Sequence, residues 1–329
     1  MTDQPVRAAI VGLGRWGENL TTAPTSALRF THATTRSTGK AQDFCRKQEL
    51  TLLLSFDEVL ACNQIEAVVL ATPHSQHGEQ IRHAAAARKH VFVEKPLALH
   101  LDDAQEATAA AQRAGIHLCV GFNRRFLPAF QRLEVGAGAL GRLLHVEGAF
   151  SGSFGYQYTD QMWRGDTSEN PAGGMAAMGI HILDLMIALL GPVRRVSTIS
   201  RHVAVPSQLQ DVTSVMLDFT CGATGSLSTL MSTANFWRLH VFGANGWAQM
   251  PDQTSLITAT LDGHLHREDF APCDSLAAEL DAFAHQIRTG QPYPVSLRQA
   301  LDGVAAMEAI AISAENGGRW TDVVTASSR

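Results

Sequence analysis

The feature that most constrains the fold is the glycine pattern Gly12-x-Gly14-x-x-Gly17, which directly follows the apolar segment Val6–Val11. In such a pattern the first glycine permits a tight turn and the second lets the backbone approach a pyrophosphate. The third lets the next helix pack closely on the strand, and that helix directs its N–H groups and positive dipole end at the phosphates. Glycines also mark ordinary turns, so the pattern carries weight because a strand precedes it and alternating elements follow it.

The first 120 residues alternate short apolar runs with helical patterns, which is typical of βαβ units and a parallel sheet. After Gly121 one helix is predicted near Pro128, then mostly strands, and two final helices over residues 276–288 and 297–315. We therefore predict an α/β chain. A Rossmann doubly wound parallel sheet occupies residues 1–122, and an α+β domain with a large, mainly antiparallel open sheet occupies residues 123–329. The predicted strands are 6–11, 29–34, 51–53, 67–71, 90–93, 117–120, 144–150, 195–200, 213–219, 224–232, 238–243 and 247–250, with a weaker pair around Asp262-Gly263.

Composition narrows the classes of partner. A formal net charge of −5 over 329 residues argues against a nucleic-acid-binding surface, which would need to be basic. No apolar run reaches membrane-spanning length and the N-terminus lacks a signal-type apolar region, so the expected location is the cytoplasm. Five cysteines without a Cys-x-x-Cys pair favour neither zinc sites nor disulfides and fit a reducing compartment.

The end of the second strand predicts which dinucleotide binds. An acidic residue there would hold a ribose 2′-hydroxyl and repel a 2′-phosphate, but this chain has Thr34-Thr35-Arg36-Ser37-Thr38-Gly39-Lys40. Arg36 offers a planar donor fork, Ser37 or Thr38 a hydroxyl and Lys40 a further positive charge, which all suit a phosphate. The alternative is a solvated basic loop. We predict NADP(H) rather than NAD(H).

A lysine follows another predicted parallel strand, in Val93-Glu94-Lys95-Pro96. Ligands collect at the carboxyl edge of open α/β sheets, and an ammonium group there can donate to a substrate oxygen. The alternative is a surface lysine ahead of a strand-ending proline, because lysines are mostly exposed.

Further motifs are Ala71-Thr72-Pro73 with His77, Gly121-Phe122-Asn123-Arg124-Arg125-Phe126, Trp163-Arg164, and Gly173-Gly174 leading to His181-Ile182-Leu183-Asp184. Together with Gly12–Gly17 and Glu94-Lys95-Pro96, they resemble the glucose–fructose oxidoreductase and inositol dehydrogenase (Gfo/Idh/MocA) family of NAD(P)-dependent dehydrogenases over essentially the whole chain. The resemblance implies that Lys95 and His181 flank the reacting carbon, that His77 lies near the nicotinamide, and that a cis Lys95–Pro96 bond is to be expected.

His181 lies within an apolar helix predicted over residues 175–190. A lone histidine there could equally be a hydrogen-bonded core residue. Hydride transfer from an alcohol must be matched by a proton transfer, however, and imidazole titrates near neutrality, so His181 is the candidate acid–base group.

One position departs from the family pattern. Dehydrogenases of this family commonly carry an aspartate four residues before the histidine, where this chain has Ala177. Three consequences stay open: a less hydroxylated substrate, replacement by another group such as Asp160, Asp166, Tyr156 or Tyr158, or impaired catalysis.

The predicted site therefore has Lys95 and His181 as catalytic residues and no metal, since His74 and His77 have no cysteine or carboxylate at ligand spacing. In the loop over residues 154–164, aromatic rings and a guanidinium suit a substrate. The alternative is that Trp163 and Phe154 pack the domain interface and Arg164 forms a structural ion pair. The predicted cofactor contacts are Gly12, Gly14, Arg15, Trp16, Gly17, Thr35, Arg36, Ser37, Lys40, Thr72, Pro73, His77, Glu94 and Lys95. The predicted substrate contacts are Asn123, Tyr156, Trp163, Arg164 and Asp184.

The leading hypothesis is reversible oxidation of a secondary alcohol to a ketone on a sugar, cyclitol or related ring compound. One alternative is a dehydrogenase of a less hydroxylated or carboxylated ring of the dihydrodiol type. Another is a non-catalytic NADP-binding sensor. We expect a small-molecule substrate, no nucleic-acid or membrane partner, and a homo-oligomer formed through the C-terminal sheet.

Overall fold

The computed structural model describes residues 4–324, and these fold into two compact units. The first contains the described residues up to Ala98 together with Asp102–Asn123 and Asp274–Leu297; the second contains Leu99–Leu101, Arg124–Cys273 and the chain from Arg298 onward. The sequence instead predicted one uninterrupted domain over residues 123–329, so the return of Asp274–Leu297 to the first unit differs from that expectation. Residues 1–3 and 325–329, which the predicted domains include, lie outside the described residues.

The secondary structure follows the predicted order, with bounds that differ by a few residues. The strands are β1 Val6–Val11, β2 Leu28–Thr34, β3 Thr51–Leu53, β4 Ala67–Leu70, β5 His90–Glu94, β6 Leu118–Gly121, β7 Leu143–Ser151, β8 Val193–Arg201, β9 Val212–Phe219, β10 Thr224–Leu230, β11 Phe236–Gly243, β12 Gly246–Met250, β13 Ser255–Thr260, β14 Leu265–Asp269 and β15 Thr321–Asp322. The α-helices are α1 Arg15–Thr22, α2 Thr38–Lys47, α3 Phe56–Ala61, α4 His77–Ala86, α5 Leu101–Ala114, α6 Pro128–Gly136, α7 Ile180–Leu190, α8 Ser275–Thr289 and α9 Leu297–Glu315.

Within the described chain, the first unit holds a six-stranded sheet in the order β3-β2-β1-β4-β5-β6. Every neighbouring pair is parallel. β4 and β6 are buried along their whole length, as expected of strands covered on both faces. The chain reverses its direction of sheet growth between β1 and β4, the switch point where ligands bind in such sheets. The Rossmann prediction is confirmed.

Helix α8 joins the first unit because its apolar face covers that unit's sheet. Leu280 and Phe283 are fully buried, and the Phe283 ring lies 5.8 Å from that of Phe92 in β5. The carboxylate of Asp281 accepts hydrogen bonds from the backbone N–H groups of Ser26 and Ala27, at 3.0 and 2.8 Å. A helical pattern near the C-terminus does not show which sheet the helix covers, which is why the sequence assigned it to the second domain.

The second unit holds a nine-stranded sheet, counted over residues 4–324, in the order β14-β13-β12-β11-β7-β10-β9-β8-β15. Among its described strands, β7 and β10 form the one parallel pair, so the predicted mainly antiparallel sheet is confirmed. α7 packs on one face of this sheet, where a side chain at Gly148 would collide with Ile182 and Met186. The helix predicted over residues 175–190 is divided into a π-helical turn, Met175–Gly179, and α7.

The helices of residues 4–324 include none whose length and hydropathy would let it cross a membrane.

Two histidines stack where β5 and β6 begin. The rings of His90 and His117 lie 5.1 Å apart, and the His117 N–H donates to His90 Nδ1 at 3.0 Å. Burial, together with the neighbouring His117, lowers the pKa of His90 from 6.5 to about 4. The folded chain therefore favours neutral His90, so its contribution to stability is complete above pH 6.5 and is lost as the pH falls through 4.

We expect His90→Asn to weaken this pH dependence, because an amide oxygen can accept the His117 N–H bond without titrating. The difference in unfolding free energy between pH 7 and pH 4 should shrink by roughly 1–2 kcal/mol, allowing for partial solvent screening. Thermal unfolding followed between pH 4 and 7 measures it, with exposed His264→Asn as the control. An unchanged pH dependence in His90→Asn would contradict the assignment.

Candidate functional site

The glycine turn after β1 is built by close backbone contacts. Gly12 has a φ of +97°, and a Cβ at this position would lie 2.6 Å from the carbonyl oxygen of Ala71. A Cβ at Gly17 would collide with the carbonyl oxygen of Gly12. Both positions therefore require glycine for the reasons the pattern predicted, a tight turn at Gly12 and close helix–strand packing at Gly17.

Gly14 has no such requirement within the protein. Its backbone angles, φ −85° and ψ 179°, are open to any residue, and a Cβ there would meet no described atom within 4 Å. The space beside Gly14 therefore admits close approach of a ligand. Helix α1 begins at exposed Arg15, and the first N–H groups of a helix lack intrahelical acceptors. The buried indole Nε1 of Trp16 has no hydrogen-bond partner among residues 4–324. The open space beside Gly14, the N-terminus of α1 and the Trp16 N–H together suit the diphosphate of a dinucleotide.

The segment after β2 carries the residues expected to meet a 2′-phosphate. Thr35 is half-buried, whereas Arg36, Ser37 and Lys40 are exposed. Ser37 is the residue before α2, yet its hydroxyl does not cap that helix. The donors of this segment thus remain on the surface next to the glycine turn, since the Gly12 N–H donates to the carbonyl of Thr34 at 2.8 Å.

The segment after β4 lies against the glycine turn. Thr72 and Pro73 are half-buried, and the Thr72 hydroxyl donates to Gln80 Oε1 at 2.7 Å. His77, by contrast, is fully buried. Its Nδ1 lies 2.8 Å from the carbonyl oxygen of Pro96 and its Nε2 lies 3.2 Å from that of Thr72. The ring therefore contacts the backbone of two loops. The sequence predicted that His77 contacts the cofactor directly, whereas the structure leaves no part of its side chain exposed.

Lys95 directly follows β5. Glu94, the last residue of that strand, is buried, and Gly121 opposite it leaves room for its carboxylate, since a Cβ there would lie 3.1 Å from Glu94 Oε1. Lys95 is half-buried, and the Lys95–Pro96 peptide bond is cis, as the resemblance led us to expect.

His181 is the second residue of α7 and is 5% exposed. Its ring lies 6.1 Å from that of Phe150, over which the Arg124 guanidinium lies at 5.6 Å. Ala177, one turn earlier, is only partly buried and packs against a cluster formed by Tyr158, Met178, Val205, Leu209 and Met231. Ala177 thus packs against mainly apolar side chains at the position where the family commonly carries an acid.

The carboxylates and tyrosines considered as replacements for the acid at position 177 make other contacts within the protein. Asp160 accepts a hydrogen bond from the Gln208 N–H at 3.0 Å, and Asp166 accepts from the Ser168 N–H and hydroxyl, which lower its pKa. Tyr158 is a member of the apolar cluster, and the Tyr156 hydroxyl donates to the Ser232 carbonyl.

Asp184 forms a buried ion pair with Arg125. Arg125 Nε and Nη2 donate to the two carboxylate oxygens at 2.7 and 3.0 Å, and both side chains are at most 3% exposed. Burial raises the pKa of Asp184, whereas Arg125 opposes that change. Asp184 was expected to face a substrate, but its carboxylate is occupied by the bidentate pair. Its role in the structure is to connect α7 to the residues that follow β6.

The remaining predicted substrate residues differ in exposure. The Asn123 amide is buried and donates to Ser275 Oγ at 3.2 Å. Tyr156 is about half exposed. The Arg164 guanidinium lies 4.2 Å from the Trp163 ring, and Asn170 Nδ2 donates to the carbonyls of both residues, which holds this loop in place.

Sequence reasoning missed two charged residues. It gave no role to Arg125 and none to Glu279, a fully buried carboxylate in α8. Glu279 is one helical turn before Phe283, on the apolar face, and an acid at such a position was the signal that could have found it.

The Rossmann sheet, the glycine turn and the lysine after β5 define a nicotinamide-dependent oxidoreductase. Residues 6–122 match the model of the "Oxidoreductase family, NAD-binding Rossmann fold", and residues 132–249 match the "GFO/IDH/MocA C-terminal domain". Together these matches cover more than half of the chain. The chain belongs to the Gfo/Idh/MocA family and is an NAD(P)-dependent dehydrogenase, as the sequence predicted.

Similar proteins extend over most of the chain. The D-xylose 1-dehydrogenase (NADP(+)) 2 of Haloferax volcanii is 27% identical over 80% of this chain and 82% of its own. The scyllo-inositol 2-dehydrogenase (NAD(+)) of Bacillus subtilis is 28% identical over 74% of this chain and 73% of its own. The structure of levoglucosan dehydrogenase in complex with NADH and levoglucosan matches 97% of this chain and 100% of that one, with a TM-score of 0.87 at 21% identity.

Proposed function

We propose that the protein interconverts a secondary alcohol and a ketone on a sugar, cyclitol or related hydroxylated ring. The observation that carries this proposal is the position of Lys95, which follows β5 at the carboxyl edge of the sheet whose first strand ends in the glycine turn. The names of the xylose and inositol dehydrogenases support the substrate class. Nicotinamide, when bound, exchanges a hydride with the carbinol carbon at its C4.

Two residues of the chain would bind the substrate oxygen and transfer its hydroxyl proton. The Lys95 ammonium donates a hydrogen bond to the substrate oxygen and stabilises the negative charge that develops there. His181 takes the hydroxyl proton at a ring nitrogen during oxidation and returns it during reduction.

Lys95→Ala and His181→Asn should each lower turnover about 10²–10⁴-fold, because each removes a group that acts on the substrate oxygen or its proton. The NADPH dissociation constant should change less than about threefold, because the glycine turn is intact. The rate of oxidation is measured with NADP⁺ from the absorbance of the reduced nicotinamide that forms. The substrates tested are D-xylose, scyllo-inositol, levoglucosan and trans-1,2-dihydrobenzene-1,2-diol.

Lys47→Ala and His83→Ala, which change exposed residues of the same types, are the matched controls and should retain turnover. Wild-type turnover in either site variant would refute the assigned role. Activity on the dihydrodiol alone would favour the less hydroxylated substrate class, and tight NADPH binding with no turnover would favour a sensor.

We further propose that NADP(H) is preferred over NAD(H). Arg36 and Lys40 are exposed beside the end of β2, and the Ser37 hydroxyl is not used to cap α2. Their donors suit a dianionic phosphate, and no acidic residue stands between Thr34 and Lys40 to repel it.

The double change Arg36→Ala with Lys40→Ala should weaken NADPH binding roughly 10–100-fold, the loss expected when charge-assisted contacts to a phosphate are removed. NADH binding should change less than about twofold. Titration of both nucleotides measures this, with Arg46→Ala and Lys47→Ala, at the other end of α2, as controls. Equal wild-type affinities for NADH and NADPH would contradict the proposed preference.

A homo-oligomer formed through the face of the nine-stranded sheet opposite α7 is our proposal for quaternary structure. Ile199, Met216 and Phe236 lie on that face and are each 50–55% exposed. Exposed apolar residues on a broad sheet face are typical of an interface between copies. A monomeric mass by light scattering at micromolar concentration would overturn this proposal.

We also propose a cytoplasmic location. The five cysteines are free thiols, and burial raises the pKa of the Cys119 thiol, which keeps it unreactive. Free thiols suit a reducing compartment. Recovery of the protein outside the cytoplasm in cell fractionation would contradict this location.

A further inference from the structure

His77 links two loops that follow neighbouring strands. It is the first residue of α4, and its side chain is fully buried. One edge of its ring faces the carbonyl of Thr72, after β4, and the other faces the carbonyl of Pro96, after β5. β4 and β5 are paired in parallel, so the imidazole bridges two adjacent segments at the carboxyl edge of the sheet.

The Thr72 side of this bridge continues into the glycine turn. A Cβ at Gly12 would lie 2.6 Å from the Ala71 oxygen and 3.2 Å from the Thr72 nitrogen, so the turn packs directly on this segment. The Thr72 side chain is separately held by Gln80 Oε1 at 2.7 Å. The position of Thr72 is therefore fixed from three sides, by the turn, by α4 and by His77.

The Pro96 side leads to the lysine. Pro96 is buried and directly follows Lys95, and the 2.8 Å contact of His77 Nδ1 is the shorter of the two ring contacts. Lysine has a long, flexible side chain, so the place its ammonium group can reach depends on where its backbone is held.

We propose that His77 is a positioning residue, which fixes the backbone of Lys95–Pro96 relative to the glycine turn. It thereby sets the distance between the Lys95 ammonium and a substrate bound next to the cofactor. The proposal rests on the catalytic role of Lys95 given above. A fully buried ring cannot itself touch substrate or cofactor, so His77 acts through Lys95.

Imidazole suits this task because its two nitrogens lie on opposite edges of a rigid ring. Both facing atoms are carbonyl oxygens, so a neutral ring donates its single N–H to one of them and packs against the other. Glutamine keeps an N–H donor for a carbonyl, but it has no rigid ring that places polar atoms at opposite edges between the two loops. Phenylalanine fills similar space but holds neither.

The test uses His77→Phe and His77→Gln in the full-length protein, with His83→Phe and His83→Gln, exposed on the same helix, as matched controls. With NADP⁺ and the most rapidly oxidised of the four alcohols named above, we expect kcat to fall about 10–100-fold in His77→Phe. A displacement of about 1 Å has an effect of this size. His77→Gln should lose less, and the NADPH dissociation constant should change less than about threefold.

The same changes are then made in the Lys95→Ala background, with rates from single turnovers at high enzyme concentration. If His77 acts through Lys95, its replacement there should cost less than about twofold, because coupled residues are not additive. Without any ligand, amide hydrogen exchange over residues 94–98 should quicken about tenfold in His77→Phe and stay unchanged in His83→Phe.

Wild-type kcat in His77→Phe, or an equal loss with and without Lys95, would overturn the proposal. If His77→Phe lowers only the NADPH affinity, His77 acts in cofactor binding, and the proposal is likewise overturned. Wild-type turnover in Lys95→Ala would refute the proposed function. Amide hydrogen exchange over residues 94–98 would still show whether His77 holds the loop, because it should quicken in His77→Phe only if His77 does so. If His77→Phe does not fold, His77→Gln carries the same comparisons.

Discussion

The close approach of three backbone segments around Gly12 is the constraint on which the first unit depends. The carbonyl of Ala71 lies too close to Gly12 for a Cβ there, and the carbonyl of Gly12 lies too close to Gly17 for a Cβ at that position. These contacts bring the ends of β1 and β4 together and direct the N-terminus of α1 into the open space beside Gly14. The same segment, one residue on, contacts His77, so the geometry that forms the phosphate site also extends to the loop of Lys95.

In the second unit a buried charge pair connects α7 to Arg125. Asp184 and Arg125 are both nearly inaccessible, and removal of one partner from such a pair typically costs 3–5 kcal/mol because the other charge is left buried. His181 lies one turn before Asp184 on α7, so the pair also fixes the orientation of the helix that carries it. Around Ala177 the same unit presents a mainly apolar cluster.

The sequence predicted most of the fold, because the glycine pattern and the βαβ alternation are local features. Strands β1 and β3 and helix α9 were predicted to the residue. The return of α8 to the first unit was not predictable, because its apolar stripe suits either sheet. Within the site, the roles of Gly12 and Gly17 could be read from their spacing. The pairing of Asp184 with Arg125, 59 residues away, and the burial of His77 depend on tertiary packing that no local pattern encodes.

The most direct test of a dinucleotide site on this turn is the NADPH affinity of Gly14→Val. Gly14 has ordinary backbone angles and open space around it, so nothing in the protein requires glycine there, and only a close ligand does. We expect Gly14→Val to unfold within about 4 °C of the wild type and to bind NADPH at least about tenfold more weakly. Wild-type NADPH affinity in a folded Gly14→Val variant would contradict this expectation.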